Sequence, residues 1–345
     1  MTGHSLFGLR GWRRALSVFG AVWLAGAQIP RVHDIDFYGT GKVPASRILR
    51  EAKLQPGEPL PSSKGDLEER INGISGIQRV RVEAICCEGA DAILFIGVEE
   101  KDGPRVAFRS EPTGKSVLPE DLAADYQQFV EVVRDAIQQK TSSDQVKLST
   151  ANSARGLEDK LASYTGEHMV ELRDVLRNAE DPEQRAIAAV VIGYAPRKAE
   201  VVGDLQFALQ DPDESVRSNA MRSLKALAAA ATRDPSLGIR ISPTWLIELL
   251  NSLVLSDRLQ AADILVALTD RHEVAVLDQI RERALPALVE MARWETLRYA
   301  LPPFLLVGRV AGLNEQEIQR RWSNGERETV IQKALALAKP AQHRK

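Results

Sequence analysis

Side chains that could perform catalysis are few in this 345-residue chain, and they are scattered along it. The Gly-Lys-Ser run at 114–116 ends like a phosphate-binding loop, but the glycine that opens such a loop would fall at position 109, which is Arg. The His-Glu pair at 272–273 lacks the second His that a zinc-protease helix places at 276. The five histidines form no cluster, and no serine-nucleophile motif occurs. The sequence therefore predicts no catalytic residue, no metal site and no cofactor.

The two cysteines, Cys86 and Cys87, are adjacent at the end of a predicted strand. Neighbouring residues of a strand point to opposite faces, so one thiol would face the interior and the other would lie near solvent. An oxidising compartment would also permit a disulfide between them or a bridge to another molecule. A zinc site is not expected, because two adjacent thiols without a nearby His supply too few ligands.

Residues 1–27 have the pattern of a secretion signal. Arginines at 10, 13 and 14 precede an uncharged run from Ala15 to Ala27, which ends in the small-residue cleavage pattern Ala-Gly-Ala. The run is shorter than the roughly 20 apolar residues that span a bilayer, which favours cleavage over retention as a short anchor. The sequence predicts a periplasmic or secreted chain, with an inner-membrane-anchored chain facing the periplasm as the alternative.

The charge balance excludes some partner classes. Without residues 1–27 the chain has 42 basic and 47 acidic residues, a net charge of −5. Nucleic-acid and anionic-membrane binding need clustered cations, and no run of five or more Lys or Arg occurs. The expected partners are other proteins, with membrane contact only through the N-terminal segment if that segment is retained.

The segment after the leader alternates between strand and helix patterns. Ile35 and Phe37 alternate with polar neighbours, as in a half-buried strand. Two helical segments follow, divided by the Pro-Gly turn at 56–57. Alternation returns around Val82 and again around Ile96, which predicts a hairpin. The pattern predicts an α+β domain in which two helices cover one face of a three-stranded sheet.

Several landmarks in this domain occur in a characteristic order. They are Phe37-x-Gly39, Val43, Gly57-x-Pro59-Leu60, Ile77 with Val80, and Val98-Glu99-Glu100-Lys101. With these landmarks, residues 32–101 resemble a POTRA domain, of βααββ order, and we place the domain at 31–101. The resemblance implies that a sheet edge binds partner strands, as in outer-membrane assembly factors and bacterial division proteins.

The candidate edge is the strand from Gln78 to Ile85. Its candidate partner-binding residues are Arg79, Arg81, Glu83 and Ile85. An exposed edge has unpaired N–H and C=O groups that can pair with another strand. The alternative is that the three charged residues are solvated and only prevent aggregation.

Residues 102–156 are predicted to be a linker that contains one helix. The helix, from about Pro119 to Gln139, has an apolar stripe that should pack on a neighbouring helix. The segment from Lys140 to Arg155 lacks apolar periodicity and is predicted to be a loop or hinge.

The second half contains an internal repeat. Asp, Arg and Ala recur at the same offsets in residues 181–188 and 213–220. This region resembles HEAT repeats over residues 157–338, and we place an all-α solenoid at 157–340. The resemblance implies a ladder of ion pairs between neighbouring repeats, formed by Asp181, Arg185, Asp213 and Arg217. Val254 stands where the third repeat would have its Asp, which predicts an interrupted ladder.

The large aromatic residues of this half allow two interpretations. They are Trp245, Trp294, Tyr299 and Trp322. They could line a concave binding face, because Trp and Tyr often anchor interfaces, or they could fill gaps between helices.

Taken together, these patterns predict a non-enzymatic envelope scaffold or adaptor. It would bind protein partners through a POTRA-like sheet edge and a HEAT-like surface, as an accessory to envelope assembly. One alternative is an inner-membrane-anchored scaffold of the division type. An alternative of another class is an enzyme, because some HEAT-like proteins are bilin lyases.

Overall fold

The computed structural model describes residues 30–88, 91–142 and 148–338. Within them the chain is a mixed α+β, helix-rich protein with fifteen α-helices and one three-stranded sheet. The predicted leader at 1–27 lies outside the described residues, and the possible disulfide of Cys86 and Cys87 lies outside the described side chains. None of the helices in the described ranges combines the length and hydropathy that crossing a membrane requires.

Residues 30–88 and 91–101 form what we call the sheet module. It contains β1 (Arg31–Tyr38), α1 (Ala45–Ala52), α2 (Lys64–Asn72), β2 (Ile77–Glu88) and β3 (Asp91–Glu100). This order confirms the predicted succession of strand, helix, helix, strand and strand. The central strand, β3, pairs parallel with β1 and antiparallel with β2. The two outer strands are therefore β1 and β2.

The helices of the sheet module cover one face of its sheet. The α2 helix begins after Ser63, whose Oγ accepts a hydrogen bond from the Asp66 N–H at 3.1 Å. Leu67 and Ile71, four residues apart, lie on the same side of that helix and are fully buried against Ile96 and its neighbours. The alternating apolar positions of the sequence therefore form the expected core on this face.

Residues 120–142 and 148–338 form what we call the helical array. Its helices are α3 (Glu120–Ser142), α4 (Leu148–Glu167), α5 (Met169–Asn178), α6 (Pro182–Ile192), α7 (Val202–Ala208), α8 (Glu214–Arg233), α9 (Thr244–Leu249), α10 (Leu255–Leu268), α11 (Val274–Arg283), α12 (Leu285–Ala292), α13 (Leu297–Val310), α14 (Glu315–Ser323) and α15 (Arg327–Ala338). We number its helical hairpins as units 1 to 5: α5 with α6, α7 with α8, α9 with α10, α11 and α12 with α13, and α14 with α15. The second helices of successive units pack side by side, and α4 packs beside α6.

The predicted loop at 140–155 is wrong over much of its length. The α3 helix extends to Ser142, and α4 already begins at Leu148. These two helices pack against each other. Tertiary packing of this kind can stabilise a helix whose local sequence pattern is weak, which explains why the apolar periodicity did not reveal it.

The predicted linker is also not a free connection at its start. Residues 104–118, which we call the strap, lie extended on the helical array. The Arg109 N–H donates to the Gln210 carbonyl at 2.9 Å, and the Gly114 N–H donates to the Asn178 carbonyl at 2.8 Å. The Glu180 N–H donates back to the Gly114 carbonyl at 2.7 Å. The strap thus satisfies its own backbone groups on units 1 and 2.

Candidate functional site

One side of the helical array is formed by the turns inside its units, and we call this side the turn edge. It comprises residues 178–182, 210–213, 251–254 and 293–296, and a row of buried arginines lies beneath it. Arg185 donates to the Asp211 carboxylate through Nε and Nη2, each at 2.9 Å. Arg217 donates in the same way to Asp257, with Nη2 at 2.8 Å. Each arginine also donates through Nη1 to two carbonyls of its own turn.

The acids of this ladder differ from those that the sequence predicted. Asp181 and Asp213 do not pair with arginines: each is an N-cap whose carboxylate accepts a hydrogen bond from a backbone N–H of its own helix at 2.8 Å. The acids that pair with Arg185 and Arg217 are Asp211 and Asp257. The ladder is also not interrupted at Val254, because Asp257 supplies the carboxylate from one turn further along.

A third arginine, Arg258, ends the ladder where the sheet module docks. It is buried and donates through Nε to the Ser252 carbonyl, while its Nη1 has no hydrogen-bond partner. Its guanidinium lies over the Tyr38 ring, 4.7 Å from the ring centroid. Burial lowers the pKa of this guanidinium. The sheet module therefore supplies an aromatic ring where the first two arginines have a carboxylate.

Two carboxylates hold the sheet module on unit 4. Glu290 accepts hydrogen bonds from the backbone N–H groups of Gly39 and Thr40, each at 2.8 Å. Asp36 accepts one from the Glu295 N–H at 2.9 Å. Burial raises the pKa of the Asp36 carboxyl, and the N–H groups that it accepts from oppose this rise. The contacts run in both directions, so Glu290 of the helical array and Asp36 of the sheet module each accept hydrogen bonds from the other body.

An aromatic cluster completes the interface. Trp294 lies edge-on to Phe95 and Tyr38, with ring centroids 5.0 and 6.3 Å away, and its Nε1–H donates to the Phe37 carbonyl at 2.8 Å. Tyr299 contacts the Phe95 ring at 5.6 Å. The sheet is therefore covered on both faces, and the prediction that helices cover one face was incomplete.

The other two large aromatic residues singled out from the sequence, Trp245 and Trp322, fill gaps between helices. Trp322 packs on Phe304 with ring centroids 5.1 Å apart, and Trp245 packs on the same extended core. Together with Trp294 and Tyr299, they follow the packing interpretation of these residues rather than the concave binding face.

Most of the predicted partner-binding side chains contact the chain's own helices. Arg81 pairs with Glu214 of unit 2 at 2.7 Å and with Glu83 at 2.7 Å. Glu83 also accepts a hydrogen bond from the Leu255 N–H at 3.2 Å. Ile85 is half-buried against the core of the helical array. These three side chains therefore do not flank an open docking line, as the sequence had suggested, because the sheet face that carries them is covered.

Arg79 is the exposed member of the predicted set. Its guanidinium donates to Glu99 of the neighbouring strand, a contact of 2.5 Å between Nη2 and the carboxylate. Arg79 thus forms an ion pair within the sheet in which the guanidinium is exposed and the Glu99 carboxylate is buried.

The two outer edges of the sheet differ in how far they are covered. On β1, the Val32 N–H donates to the Glu58 carbonyl and the Gly57 N–H donates to the Val32 carbonyl, at 2.8 and 2.7 Å. On β2, the Val82 N–H donates to the Glu68 carboxylate at 2.7 Å. Because N–H directions alternate along a strand, the Ala84 N–H also points away from β3, and Ala84 is exposed. Within the part of the chain that the structure describes, nothing pairs with the Ala84 N–H, so the outer edge of β2 is open there to a further strand.

Comparison with known proteins gives no relative from which a function could be transferred. The chain matches no protein-family model, and no curated protein matches its sequence significantly. Among the residues described, no group of three or more His, Cys, Asp or Glu is placed to hold a metal ion. The open β2 edge and the covered turn edge are the features from which a function can be inferred.

Glu290 offers a direct test of the docking interface. Replacing it by glutamine should lower the free energy of unfolding by about 2 kcal/mol, because a charged acceptor of two backbone N–H groups is replaced by an amide with one acceptor oxygen. Chemical denaturation of the purified chain measures this. Glu282→Gln, at an exposed position of α11, should change stability by less than about 0.5 kcal/mol. Equal effects of the two substitutions would contradict the proposed role of Glu290.

Proposed function

We propose that this protein is a non-enzymatic scaffold of the cell envelope that binds an extended segment of another protein along the outer edge of β2. In this proposal the sheet module is POTRA-like and the helical array is HEAT-like. The observation that carries it is the contrast between the two edges. The edge of β1 is paired with residues 57–60 and with unit 4, whereas among the described residues no strand lies beyond β2 and the Ala84 N–H points outward.

The helical array would hold this edge in place. Tyr38 and Phe95 are fully buried in the core of the array, and Arg81 and Glu83 bond to units 2 and 3. A strand edge held on a rigid support loses little conformational freedom when a partner adds to it. The envelope location is supported by the leader pattern at 1–27, since that pattern directs a chain out of the cytosol.

A photo-crosslinking residue at position 84 tests the proposal in the native host. We expect illumination to give one or a few discrete adducts to envelope proteins from Ala84, and none of these from Val274, which is also exposed, on α11. The same cells are fractionated. Adducts of the same pattern from both positions would contradict strand addition at β2, and recovery of the adduct in the cytosol would contradict the envelope location.

A further inference from the structure

The helical array extends past the open edge of the sheet. β1 contacts unit 4 through Phe37 and Trp294, whereas β2 contacts unit 2 through Arg81 and Glu214. The strand order β1-β3-β2 thus follows decreasing unit number, and unit 1 lies beyond β2. The strap covers the turn edge there. We call this surface the shelf, and it comprises residues 104–121, 178–183 and 210–214.

The shelf restricts what can add to β2. A strand added to a sheet occupies about 4.8 Å, whereas each helical unit occupies about 10 Å. If a second copy of this chain paired edge to edge, it would place either its own helical array or its α1 and α2 on the side where the shelf lies. Both arrangements overlap the shelf. A single extended segment fits, because it needs the width of one strand only.

The shelf is acidic. Its exposed carboxylates are those of Glu111, Glu120, Asp121, Glu180, Asp181 and Glu183. Its exposed cations are Arg105 and Lys115, and Arg105 lies 3.2 Å from the Glu99 carboxylate of the sheet. A segment on β2 would direct every second side chain toward this surface. Opposite charge on those side chains would favour and orient its binding.

We propose that the partner of this protein is a short, extended, basic segment that pairs with β2 from Ala84 onward and directs Lys or Arg side chains at alternate positions onto the shelf. This inference rests on the proposed strand addition at β2. Glu68 limits the length of the pairing, because its carboxylate already accepts the Val82 N–H. The recognition is therefore by backbone pairing and by charge.

Three synthetic peptides on one alternating Val and Thr scaffold serve as probes. The first has Lys at alternate positions, the second has Glu at those positions, and the third is the Lys peptide with N-methyl groups on one backbone edge. We measure their binding to the full chain by fluorescence anisotropy. The Lys peptide should bind at least about tenfold more tightly than the other two, and this preference should shrink as salt rises from about 0.05 to about 0.5 M, because salt screens exposed charges.

Two variants separate the backbone contribution from that of charge. Ala84→Pro removes the outward N–H, which an outer strand tolerates, and it should weaken the Lys peptide about tenfold. The triple substitution of Glu111, Glu180 and Glu183 by Gln should also weaken it about tenfold. The matched control replaces Glu200, Glu273 and Glu282, exposed residues outside the shelf, by Gln and should leave binding unchanged.

The possible outcomes separate strand addition at β2 from the basic character of the partner. If the Lys and Glu peptides bind equally and both respond to Ala84→Pro, strand addition stands and the basic partner is overturned. If the N-methylated Lys peptide binds as well as its parent, the shelf attracts cations without strand pairing, and the inference fails. If no probe binds, the inference fails as well, while crosslinking from position 84 still tests strand addition independently.

Discussion

Replacing Gly39 by alanine should lower the free energy of unfolding by about 3 kcal/mol or more. Gly39 has a φ of +77°, and a Cβ added there would lie 1.9 Å from the Val98 carbonyl oxygen. The obstacle is the backbone of β3, the central strand, which cannot move without disturbing the pairing on both sides. Its N–H also donates to Glu290, so any shift would loosen the contact with unit 4 as well.

Gly57 supplies the control for this substitution. Its φ is also positive, at +88°, but a Cβ there would meet nothing within 4 Å. Gly57→Ala should therefore cost only the backbone conformation, about 1 kcal/mol. Chemical denaturation of both variants measures the difference. Equal losses would show that the close approach of Gly39 to Val98 is relieved at little cost, contrary to the expectation.

Replacing Arg217 by methionine should lower the free energy of unfolding by about 3–5 kcal/mol, because it leaves the Asp257 carboxylate buried without its cation. Both side chains are fully enclosed, with exposures of 1% and 0%. The substitution also removes the Nη1 donor from two carbonyls of the unit 2 turn. Thermal or chemical unfolding followed by circular dichroism measures the loss.

The matched surface pair is Arg197 with Glu200, whose closest atoms are 3.0 Å apart. Arg197→Met should cost less than about 1 kcal/mol, because solvent screens the pair and replaces its hydrogen bonds. Similar losses from Arg197→Met and Arg217→Met would mean that the buried ladder contributes no more than an ordinary surface ion pair.

Local sequence patterns predicted the helices and strands that pack against segments close to them in the sequence. The sequence indicated a helix from about Pro119 to Gln139, and the structure has α3 at Glu120–Ser142. The hairpin of β2 and β3 was equally clear, since its alternating residues pack on helices of the same module. Apolar spacing of this kind reports which side of an element is buried against its own surroundings.

The docking of the sheet module depends on residues far apart in the chain, so local pattern could not locate it. One signal was present: residues 92–98 are apolar without alternation, apart from Gly97, which is typical of a strand buried on both faces. Phe95 belongs to this run and lies in the array core. What the run could not show is that Trp294, some 200 positions later, covers that face.

The ladder acids show a different limit. Asp211 and Asp213 lie on either side of Pro212. Shifting the alignment of the repeats by two residues would therefore exchange one of these acids for the other. Only packing decides between them: Asp213 caps its helix, whereas Asp211 meets Arg185 of the preceding unit. The outer strand β2 was predicted correctly as a sheet edge, but three of the four side chains chosen to flank it, Arg81, Glu83 and Ile85, contact the array.

The hydrogen bond from the Tyr38 hydroxyl to the Leu253 carbonyl joins residues 215 positions apart. On a ribosome that adds about 5–20 residues per second, the first hundred residues emerge about 10–40 s before the helices that bury Tyr38 and Phe95. Until then, a nascent chain presents an apolar sheet surface to its surroundings. Synthesis of this protein therefore contains an interval in which a chaperone has a binding site that the finished molecule no longer offers.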